Sequence, residues 1–326
     1  MPAPAREPNA KYLVGVGAWR SQPFLCRMNY FLLLLATIAS LSATAQAVPT
    51  GPGRVVRLPD FASKHVQARN VDIWLPDGYD AGTGTYDVLY MHDGQNLFDP
   101  ALCLTTGVAW EVDATLTRLQ TEGAVRPTIV VGIWNSPLRF WEYVPAAPFR
   151  AMSAASQAAR KGGKVVEPLS DEYLKFLVTE LKPYIDAHYR TAPNRAHTWV
   201  AGSSMGGLIS LYAALEYPKV FGGAACLSTH WPLSKGDTNP SDFTDAMLAY
   251  LAKKLPRRQR PLLYFDYGTA TLDALYEIHQ RRVDALLQAS GYDARNHLSR
   301  KYEGAAHNEA AWQARLHVPL TFLLHK

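Results

Sequence analysis

The stretch that most constrains the fold is residues 200–209, with the sequence Val-Ala-Gly-Ser-Ser-Met-Gly-Gly-Leu-Ile. An apolar run precedes it, and apolar residues at spacings of three and four follow as far as Pro218, which predicts a strand, a sharp turn and a helix. In that context Gly-x-Ser-x-Gly holds a serine in a strained turn with its hydroxyl exposed. A Cβ at Gly202 or Gly206 would be expected to collide with the neighbouring strand or helix. We predict that Ser204 is a nucleophile; an ordinary Gly/Ser turn is the alternative.

The N-terminal part of the chain is expected to be a leader outside the fold. The apolar run at residues 31–41 is too short to span a bilayer comfortably, and the Ala-Gln-Ala that follows is a small-x-small cleavage site. Residues 1–47 are therefore predicted to be a signal peptide with an upstream stretch, cleaved before Val48, and the true start is Met1 or Met28. An uncleaved membrane anchor is the alternative. Cleavage predicts a secreted or periplasmic protein with no stable membrane insertion.

Residues 48–326 are expected to form a single domain, long enough for a large core. The full chain carries 33 Lys and Arg against 28 Asp and Glu. The leader holds four of the basic residues and one acidic residue, so 29 against 27 remain, and no basic stripe indicates a nucleic-acid partner. No cysteine or histidine spacing is typical of a metal site, and no cofactor is expected. Cys103 and Cys226 either form a disulfide or are two buried thiols.

A polar turn follows the first strand that is predicted to be buried. Residues 55–58 and 71–75 predict early, partly exposed strands that pair antiparallel, and residues 87–91 predict a buried strand ending in His-Asp-Gly-Gln-Asn. A glycine-containing turn at this place supplies half of an oxyanion hole in α/β-hydrolases, where each donor is worth about 3 kcal/mol of barrier. We predict that the N–H groups of Gln95 and Met205 form the hole; a plain loop is the alternative for Gln95.

Later strands alternate with helical patterns, which indicates an α/β fold with a mostly parallel, twisted sheet and helices on both faces. Residues 135–170 interrupt this alternation and are rich in Pro, Ala and aromatic residues. We expect them to form an excursion, or lid, over the sheet that shapes a pocket; for residues 151–166 a disordered surface loop is the alternative. The aromatic and histidine side chains expected to line the pocket are Trp141, Tyr143, His230 and Trp231.

A serine nucleophile requires a base to take its proton, and the base requires an acid that fixes its tautomer. In this type of fold the chain order is serine, acid, histidine. His307 is the best base, because it follows the last predicted strand after a few small residues and precedes a helix. Asp273, in the loop after the penultimate strand, is the favoured acid, although it could instead be a helix N-cap. Asp266, at the end of that strand, is the other candidate.

Three motifs in this order resemble one known family. Gly-Ser-Ser-Met-Gly-Gly, Tyr-Met-His-Asp-Gly-Gln-Asn-Leu-Phe-Asp and Glu-Gly-Ala-Ala-His-Asn-Glu-Ala-Ala-Trp resemble the "putative esterase" family of α/β-hydrolases. It includes esterase D (S-formylglutathione hydrolase), feruloyl and acetylxylan esterases, siderophore esterases and secreted mycolyltransferases. The resemblance covers about residues 68–325.

This resemblance implies an α/β-hydrolase fold with Ser204 and His307 as nucleophile and base. Similarity to the mycolyltransferases implies the Gln95 and Met205 oxyanion hole. Asp273 gains only modest support, because the offset of the acid varies within the family. Residues Arg139–Tyr143 resemble the family's Arg…Glu-Tyr segment beside the active site.

Together these observations predict a serine carboxylic-ester hydrolase that works through an acyl-enzyme without metal or cofactor. Aromatic residues around the expected pocket favour a small-molecule or glycan ester with a carbohydrate, phenolic or siderophore group. Acyl transfer to a sugar hydroxyl would use the same residues. A non-catalytic carbohydrate-binding protein on the same scaffold is the alternative from another class, although such proteins usually lack the serine or the histidine.

Overall fold

The computed structural model describes residues 46–48, 51–103, 106–162, 167–233 and 242–326, with only the backbone described for residues 46–48. All of them lie in one unit, Ser42–Lys326. The predicted leader falls outside the described residues except for Gln46 and Ala47, and it stays a prediction. No helix in these ranges is both long and apolar enough to cross a membrane.

One sheet of nine strands organises the described residues. The strands are β1 (Gln46–Val48), β2 (Arg54–Phe61), β3 (Arg69–Leu75), β4 (Asp87–His92), β5 (Thr128–Ile133), β6 (Thr198–Ser203), β7 (Gly223–Leu227), β8 (Leu262–Gly268) and β9 (His297–Tyr302). Their spatial order is β1-β2-β3-β5-β4-β6-β7-β8-β9. The first three strands are antiparallel to their neighbours, and strands β4 to β9 are parallel. The mostly parallel sheet and its early antiparallel pair are therefore confirmed.

Helices cover both faces of this sheet. They are α1 (Val112–Thr121), α2 (Arg139–Tyr143), α3 (Ala146–Ala151), α4 (Ala154–Lys161), α5 (Ser170–Lys175), α6 (Lys182–His188), α7 (Met205–Glu216), α8 (Asp242–Lys254), α9 (Glu277–Ala289), α10 (Glu309–Arg315) and α11 (His317–Leu324). A π-helical stretch, Phe176–Leu181, joins α5 to α6. These three elements therefore form one continuous helical segment with a wider turn in its middle.

Strand β4 is apolar at its four inner positions, residues 88–91, and its packing shows why. Side chains alternate between the two faces of a strand. Val88 and Tyr90 belong to the core cluster that also holds Leu208 of α7. Leu89 and Met91 belong to the other cluster, with residues of α1 and α11. A parallel strand with a helical layer on each face has no solvated side, so its inner positions are apolar.

The turn after β4 lies directly against the neighbouring strand β5. A Cβ built on Gly94 would be 2.4 Å from the carbonyl carbon of Gly132 and 2.6 Å from its oxygen. Backbone atoms cannot rotate away as the end of a side chain can. Gly94 is therefore required by close approach, and this approach places the polar turn at the carboxyl edge of the sheet.

The predicted excursion at residues 135–170 is more ordered than a lid loop. It contains α2, α3 and α4, and Phe149 within it is fully buried in the core. Because Ala154–Lys161 is helical, the disordered-loop alternative is wrong for those residues, whereas residues 163–166 lie outside the described ranges.

Cys103 and Cys226 are both buried and both free. The alternative of two buried thiols is therefore confirmed, and the disulfide is not formed. Burial raises the pKa of the Cys103 thiol to about 11, with further contributions from the charges of Glu309 and Asp99. Neither thiol is activated as a nucleophile, because nucleophilic attack requires the thiolate and burial favours the neutral thiol.

Gly94→Ala is expected to lower the free energy of unfolding by about 1–3 kcal/mol, because the new Cβ must displace backbone. Gly84→Ala is the matched control, since nothing lies within 4 Å of a Cβ at that glycine, and it should change stability by less than about 0.5 kcal/mol. Urea denaturation measures both values. Equal stability of the two variants would contradict the steric argument.

Candidate active site

Ser204 occupies the turn between β6 and α7. Its backbone has φ 58° and ψ −120°, a conformation that costs a residue other than glycine about 1–3 kcal/mol. Turns of this kind expose the serine side chain at the end of the strand. The strained turn that the motif predicted is present.

The three glycines around Ser204 have different roles. A Cβ on Gly202 would lie 2.9 Å from the carbonyl carbon and oxygen of Gly206, and a Cβ on Gly207 would lie 2.9 Å from Oγ1 of Thr229. At both positions the neighbouring atoms are so close that a residue with a Cβ would not fit without a shift. The expected collision at Gly206 is wrong, because its nearest neighbours would be 3.5 Å away, at ordinary contact distance.

His307 and Asp273 form a hydrogen-bonded pair. Nδ1 of His307 lies 2.5 Å from Oδ1 of Asp273. The other oxygen, Oδ2, accepts hydrogen bonds from Oγ of Ser228 at 2.5 Å and from the backbone N–H of Gly268 at 2.6 Å. Burial opposes ionisation of Asp273, but hydrogen bonds from His307, Ser228 and Gly268 outweigh it and hold the pKa of this carboxyl below its usual value. The pair therefore carries an ionised carboxylate beside the imidazole.

Asp266 is committed to a different partner. Its carboxylate accepts hydrogen bonds from Nε and Nη2 of Arg315 at 3.1 and 2.8 Å, and from the hydroxyl of Tyr264 at 2.9 Å. The alternative of Asp266 as the partner of His307 is wrong, because Arg315 and Tyr264 bind its carboxylate and Nδ1 of His307 binds Asp273. The N-cap alternative for Asp273 is also wrong, since this residue lies inside the 3₁₀ turn Thr271–Leu275 and its side chain contacts His307.

Ser204 and His307 line the same cavity, of about 380 Å³. Its lining combines the serine and histidine with carboxylates, amides, an arginine and one indole: Asp93, Gln95, Asn96, Asn135, Arg139, Ser203, Ser204, His307, Glu309 and Trp312. The cavity lies where β4, β6 and β9 end, as expected for a ligand site in a parallel sheet.

Two backbone N–H groups at this cavity are available as donors. Gln95 lines the cavity directly and follows Asp93, whose backbone is left-handed at φ 57°. Met205 is the first residue of α7, where helix N–H groups have no acceptor in their own helix. Neither N–H donates a hydrogen bond to any residue that the structure describes. Gln95 therefore lines the same cavity as Ser204, and Met205 directly follows Ser204 in the chain; their role as an oxyanion hole stays a prediction.

Asp93 and Arg139 form a paired wall of the cavity. Nε and Nη2 of Arg139 lie 2.6 and 2.7 Å from the two oxygens of Asp93, and the Asn135 amide donates to the same carboxylate at 2.7 Å. Burial disfavours the charged form of Asp93, but Arg139 and Asn135 outweigh it, so the pKa of this carboxyl is lowered. Arg139 in the quoted Arg…Glu-Tyr segment therefore neutralises a carboxylate at the cavity.

The other two residues of that segment face the core. Glu142 forms a fully buried ion pair with Arg69 at 2.6 Å. The hydroxyl of Tyr143 accepts a hydrogen bond from the backbone N–H of Asp93 at 3.3 Å. Tyr143 therefore supports the turn after β4, whereas Glu142 is held by Arg69 in the core.

The expected aromatic pocket lining is wrong. Tyr143 and Trp231 have no exposed surface, and Nε1 of Trp231 donates to Gln280 at 2.9 Å within the core. Trp141 packs against the core cluster, with its ring edge-on to Phe149 at 5.9 Å. None of the three lines the cavity. The excursion turns the rings of Trp141 and Tyr143 inward to cover the sheet, and Trp231, after β7, is buried in the core.

His230 is also absent from the cavity wall. Its Nδ1 lies 2.7 Å from the hydroxyl of Tyr276, and its side chain is almost fully buried. The residue is nevertheless close to the nucleophile, since its backbone N–H donates to the carbonyl oxygen of Ser204 at 3.2 Å. His230 therefore lies close to Ser204, but the prediction that its side chain lines the pocket is wrong.

Sequence reasoning missed Ser228, Glu309 and Trp312. The hydroxyl of Ser228 donates to Asp273 and accepts from Nε1 of Trp312 at 2.9 Å and from Nη2 of Arg315 at 2.8 Å. Glu309 and Trp312 occur in the quoted motif two and five residues after His307, and Ser228 is the first polar residue after β7. The available signal in the sequence was position: Ser228 directly follows a strand, and Glu309 and Trp312 lie in the helix that follows His307.

Comparisons with known proteins agree with this architecture. The family described as "Putative esterase" matches residues 63–323. The "Endo-1,4-beta-xylanase/feruloyl esterase" of Xylanibacter ruminicola is 22% identical over 269 residues, which cover 80% of this chain and 30% of that protein. The chain spans between 30% and 60% of the length of the first curated relatives that it matches.

Two solved structures have a similar fold. A ferulic acid esterase is 19% identical with a TM-score of 0.57, covering 84% of this chain and 99% of its own. The ferric enterobactin esterase of Salmonella typhimurium is 18% identical with a TM-score of 0.59, covering 85% and 59%. At these identities the likeness is one of fold alone, and it confirms the α/β-hydrolase fold.

His92 provides a pH-dependent test of the packing behind the cavity. Its Nδ1 contacts the hydroxyl of Tyr173 at 2.8 Å. Burial lowers the pKa of this imidazole to about 3, although the charge of Asp93 opposes the shift. The unfolded chain therefore takes up the proton near pH 6.5 and the folded protein only near pH 3. Across that interval stability should fall as the pH falls, by at most about 1.4 kcal/mol per pH unit.

We expect NMR signals of the His92 ring to remain those of a neutral imidazole down to about pH 4. In urea denaturation series, His92→Asn should show a shallower loss of stability than the wild type between pH 6.5 and 4. A titration midpoint of His92 near 6.5 would contradict the buried, neutral state.

Proposed function

Since the chain belongs to the "Putative esterase" family, we propose that it is a carboxylic ester hydrolase that forms an acyl-enzyme on Ser204. One observation carries the proposal. Ser204, in a strained turn, lines the same cavity as His307, and Nδ1 of His307 is hydrogen-bonded to Asp273. These are the parts that nucleophilic catalysis by a serine requires.

Each side chain has a defined step in this mechanism. The hydroxyl oxygen of Ser204 attacks the ester carbonyl carbon, and Nε2 of His307 takes the hydroxyl proton. Asp273 holds the other imidazole proton on Nδ1, which leaves Nε2 free as the base, and it stabilises the imidazolium that forms. His307 then gives the proton to the leaving alcohol. Water repeats the same steps on the acyl-enzyme and releases the acid.

The tetrahedral intermediate carries a negative oxygen that requires hydrogen-bond donors. The backbone N–H groups of Gln95 and Met205 are the proposed donors, because Gln95 lines the cavity with Ser204, Met205 follows Ser204 in the chain, and neither N–H is engaged by a described residue. Backbone donors held by the turn after β4 and by the start of α7 require no rearrangement when the charge develops.

The polar lining favours esters of a hydroxyl-rich group, and we propose a carbohydrate ester as the substrate class. Asn96, Asn135 and Glu309 offer amide donors and carboxylate acceptors that match sugar hydroxyls. Glu309 is bound only by neutral groups among the described residues, Nδ2 of Asn96 at 3.4 Å and Oγ1 of Thr106 at 3.0 Å. A carboxylate without a cationic partner is a strong acceptor for a substrate hydroxyl. The predicted leader supports action on such esters outside the cytoplasm.

Ser204→Ala is expected to reduce hydrolysis of a short aryl acetate by more than about 10³-fold, because no other nucleophile replaces the hydroxyl. Ser156→Ala, on helix α4, is the control and should keep the wild-type rate. Equal turnover by wild type and Ser204→Ala would refute the mechanism. If both rates were near background, labelling of the wild type alone by a serine-directed phosphonate would support it, and labelling of neither would refute it.

Glu309→Ala is expected to reduce kcat/KM for an acetylated xylo-oligosaccharide by about tenfold, the value of one charge-assisted hydrogen bond. For an aryl acetate, which has no sugar hydroxyls, the change should stay within about twofold. Glu303→Gln, at an exposed carboxylate that pairs with Lys301, is the control. Equal losses on both substrates would show that Glu309 only supports the turn, and no loss on either would exclude it as a sugar contact.

A further inference from the structure

The indole of Trp312 connects the wall of the cavity to the interior of the site. Its ring lines the cavity together with Ser204 and packs edge-on against the ring of His307, with the centroids 5.0 Å apart. Its Nε1 donates to Oγ of Ser228 at 2.9 Å. Ser228 has no exposed surface and donates in turn to Asp273 at 2.5 Å. One side chain of the wall is therefore linked to the base by ring packing and to the acid by two successive hydrogen bonds.

The direction of the Ser228 hydroxyl proton is fixed by its neighbours. Oγ of Ser228 accepts from Nε1 of Trp312 at 2.9 Å and from Nη2 of Arg315 at 2.8 Å. Tryptophan and arginine side chains are donors only, whereas a hydroxyl has one proton and two acceptor sites. Because the two donors occupy both acceptor sites, the proton must lie towards the third neighbour, Oδ2 of Asp273.

This arrangement defines what each oxygen of Asp273 can do. Oδ2 receives the Ser228 hydroxyl at 2.5 Å and the backbone N–H of Gly268 at 2.6 Å. Two donors use both lone pairs of that oxygen, which leaves no position on it for a proton. The other oxygen, Oδ1, lies 2.5 Å from Nδ1 of His307. The carboxylate is thus held from one side as an acceptor that faces the imidazole on the other.

Other ionisable groups lie next to this pair in the described part of the chain. Nη2 of Arg315 lies 3.8 Å from Oδ2 of Asp273, and Asp266 is paired with the same arginine at 2.8 Å. The ring of Tyr276 packs edge-on against His307 at 5.6 Å, and Glu309 lines the cavity. All of these groups are retained when the Ser228 hydroxyl is removed.

We propose that Ser228 and Trp312 are positioning residues for the reaction at Ser204. The indole N–H turns the Ser228 hydroxyl towards Asp273, and this hydroxyl holds the carboxylate in line with His307. The inference rests on the proposed function. Neither positioning residue gains or loses a proton over the cycle. A substrate in the cavity lies against the ring whose N–H sets this alignment, so the wall and the acid belong to one hydrogen-bonded chain.

The pH dependence of activity distinguishes this role from a structural one. The Ser228 hydroxyl donates to the negative charge of Asp273 and so stabilises the pair of Asp273 and His307 before it takes up a proton. Without this donor the pair should bind a proton more tightly. Activity requires the unprotonated imidazole, and the acidic limb of the kcat/KM profile reports this titration in the free enzyme. Loss of the hydroxyl should therefore move that limb to higher pH.

Ser228→Ala is expected to raise the midpoint of the acidic limb by about half a pH unit and to lower kcat for an aryl acetate by about tenfold. KM should stay within about twofold, because Ser228 does not line the cavity. Ser170→Ala is the control, since it removes another buried serine hydroxyl, which accepts from the N–H of Ala146 at 2.9 Å. Its profile should overlay that of the wild type.

A midpoint in Ser228→Ala equal to that of Ser170→Ala would overturn the role of Ser228, whatever the value of kcat. Partial unfolding lowers the height of the profile in proportion to the folded fraction and leaves the midpoint in place. Ser228→Cys serves as a second variant, because the thiol fills a similar volume and is a weaker donor. Its midpoint should lie between those of the wild type and Ser228→Ala, and a wild-type midpoint in both variants would refute the proposal.

Trp312→Phe tests the indole N–H while keeping an aromatic ring in the wall. The midpoint should rise by less than in Ser228→Ala, because the hydroxyl remains but loses one of the two donors that polarise it. Trp74→Phe is the control, since its indole N–H donates to the carbonyl oxygen of Pro52 at 2.8 Å, away from the cavity. A midpoint in Trp312→Phe equal to that of this control would overturn the role of Trp312.

A double variant and the nucleophile variant complete the test. Ser228→Ala/Trp312→Phe should have the midpoint of Ser228→Ala alone, because the indole N–H acts through the hydroxyl; additive shifts would overturn the chain. If Ser204→Ala keeps the wild-type rate, the proposed function fails and this inference fails with it. If Ser204→Ala is inactive and Ser228→Ala keeps the wild-type profile, the proposed function stands and only this inference fails.

Discussion

The candidate site depends on keeping the buried carboxylate of Asp273 ionised. Burial alone would favour its protonated form, and a protonated carboxyl could not hold the imidazole in the required tautomer. Three donors prevent this: Nδ1 of His307, Oγ of Ser228 and the N–H of Gly268. They come from three different strand ends. Asp273 therefore stays ionised only when these three strand ends have come together at the edge of the sheet.

Ser228 connects this carboxylate to a second buried charge. Its hydroxyl donates to Asp273 and accepts from Arg315, while Arg315 pairs with Asp266. Two carboxylates this close would repel each other, and the arginine between them offsets that repulsion. A buried pair of this kind gives little net stability, but Arg315 lies closer to Asp266, at 2.8 Å, than to Asp273, at 3.8 Å. Asp266 thus takes the hydrogen bonds of the arginine, and Asp273 keeps its hydrogen bond to the histidine.

Much of the fold and of the site could be predicted, because the informative signals are local. A strand followed by Gly-x-Ser-x-Gly, and a polar turn after a buried strand, locate Ser204 and Gln95 within a few residues. The choice between Asp273 and Asp266 could not be made locally, because Arg315 decides it from a helix about 50 residues later in the chain. The predicted pocket lining by Trp141 and Tyr143 is wrong for the same reason. Both rings pack against the sheet, and that packing involves residues far apart in the sequence.

Backbone strain is concentrated at the same edge of the sheet. Among the described residues, four of the eight non-glycine residues with positive φ follow strands β4, β6, β7 and β8: Asp93, Ser204, Ser228 and Thr271. Each uses its side chain there. Asp93 binds Arg139, Ser228 binds Asp273, and Oγ1 of Thr271 accepts the backbone N–H of His307 at 2.8 Å. Such conformations persist only where surrounding contacts over-determine them. The hydrogen bonds that hold these turns are thus also the ones that aim the functional groups at the cavity, which explains why residues with side chains, and not glycines, occupy the strained positions.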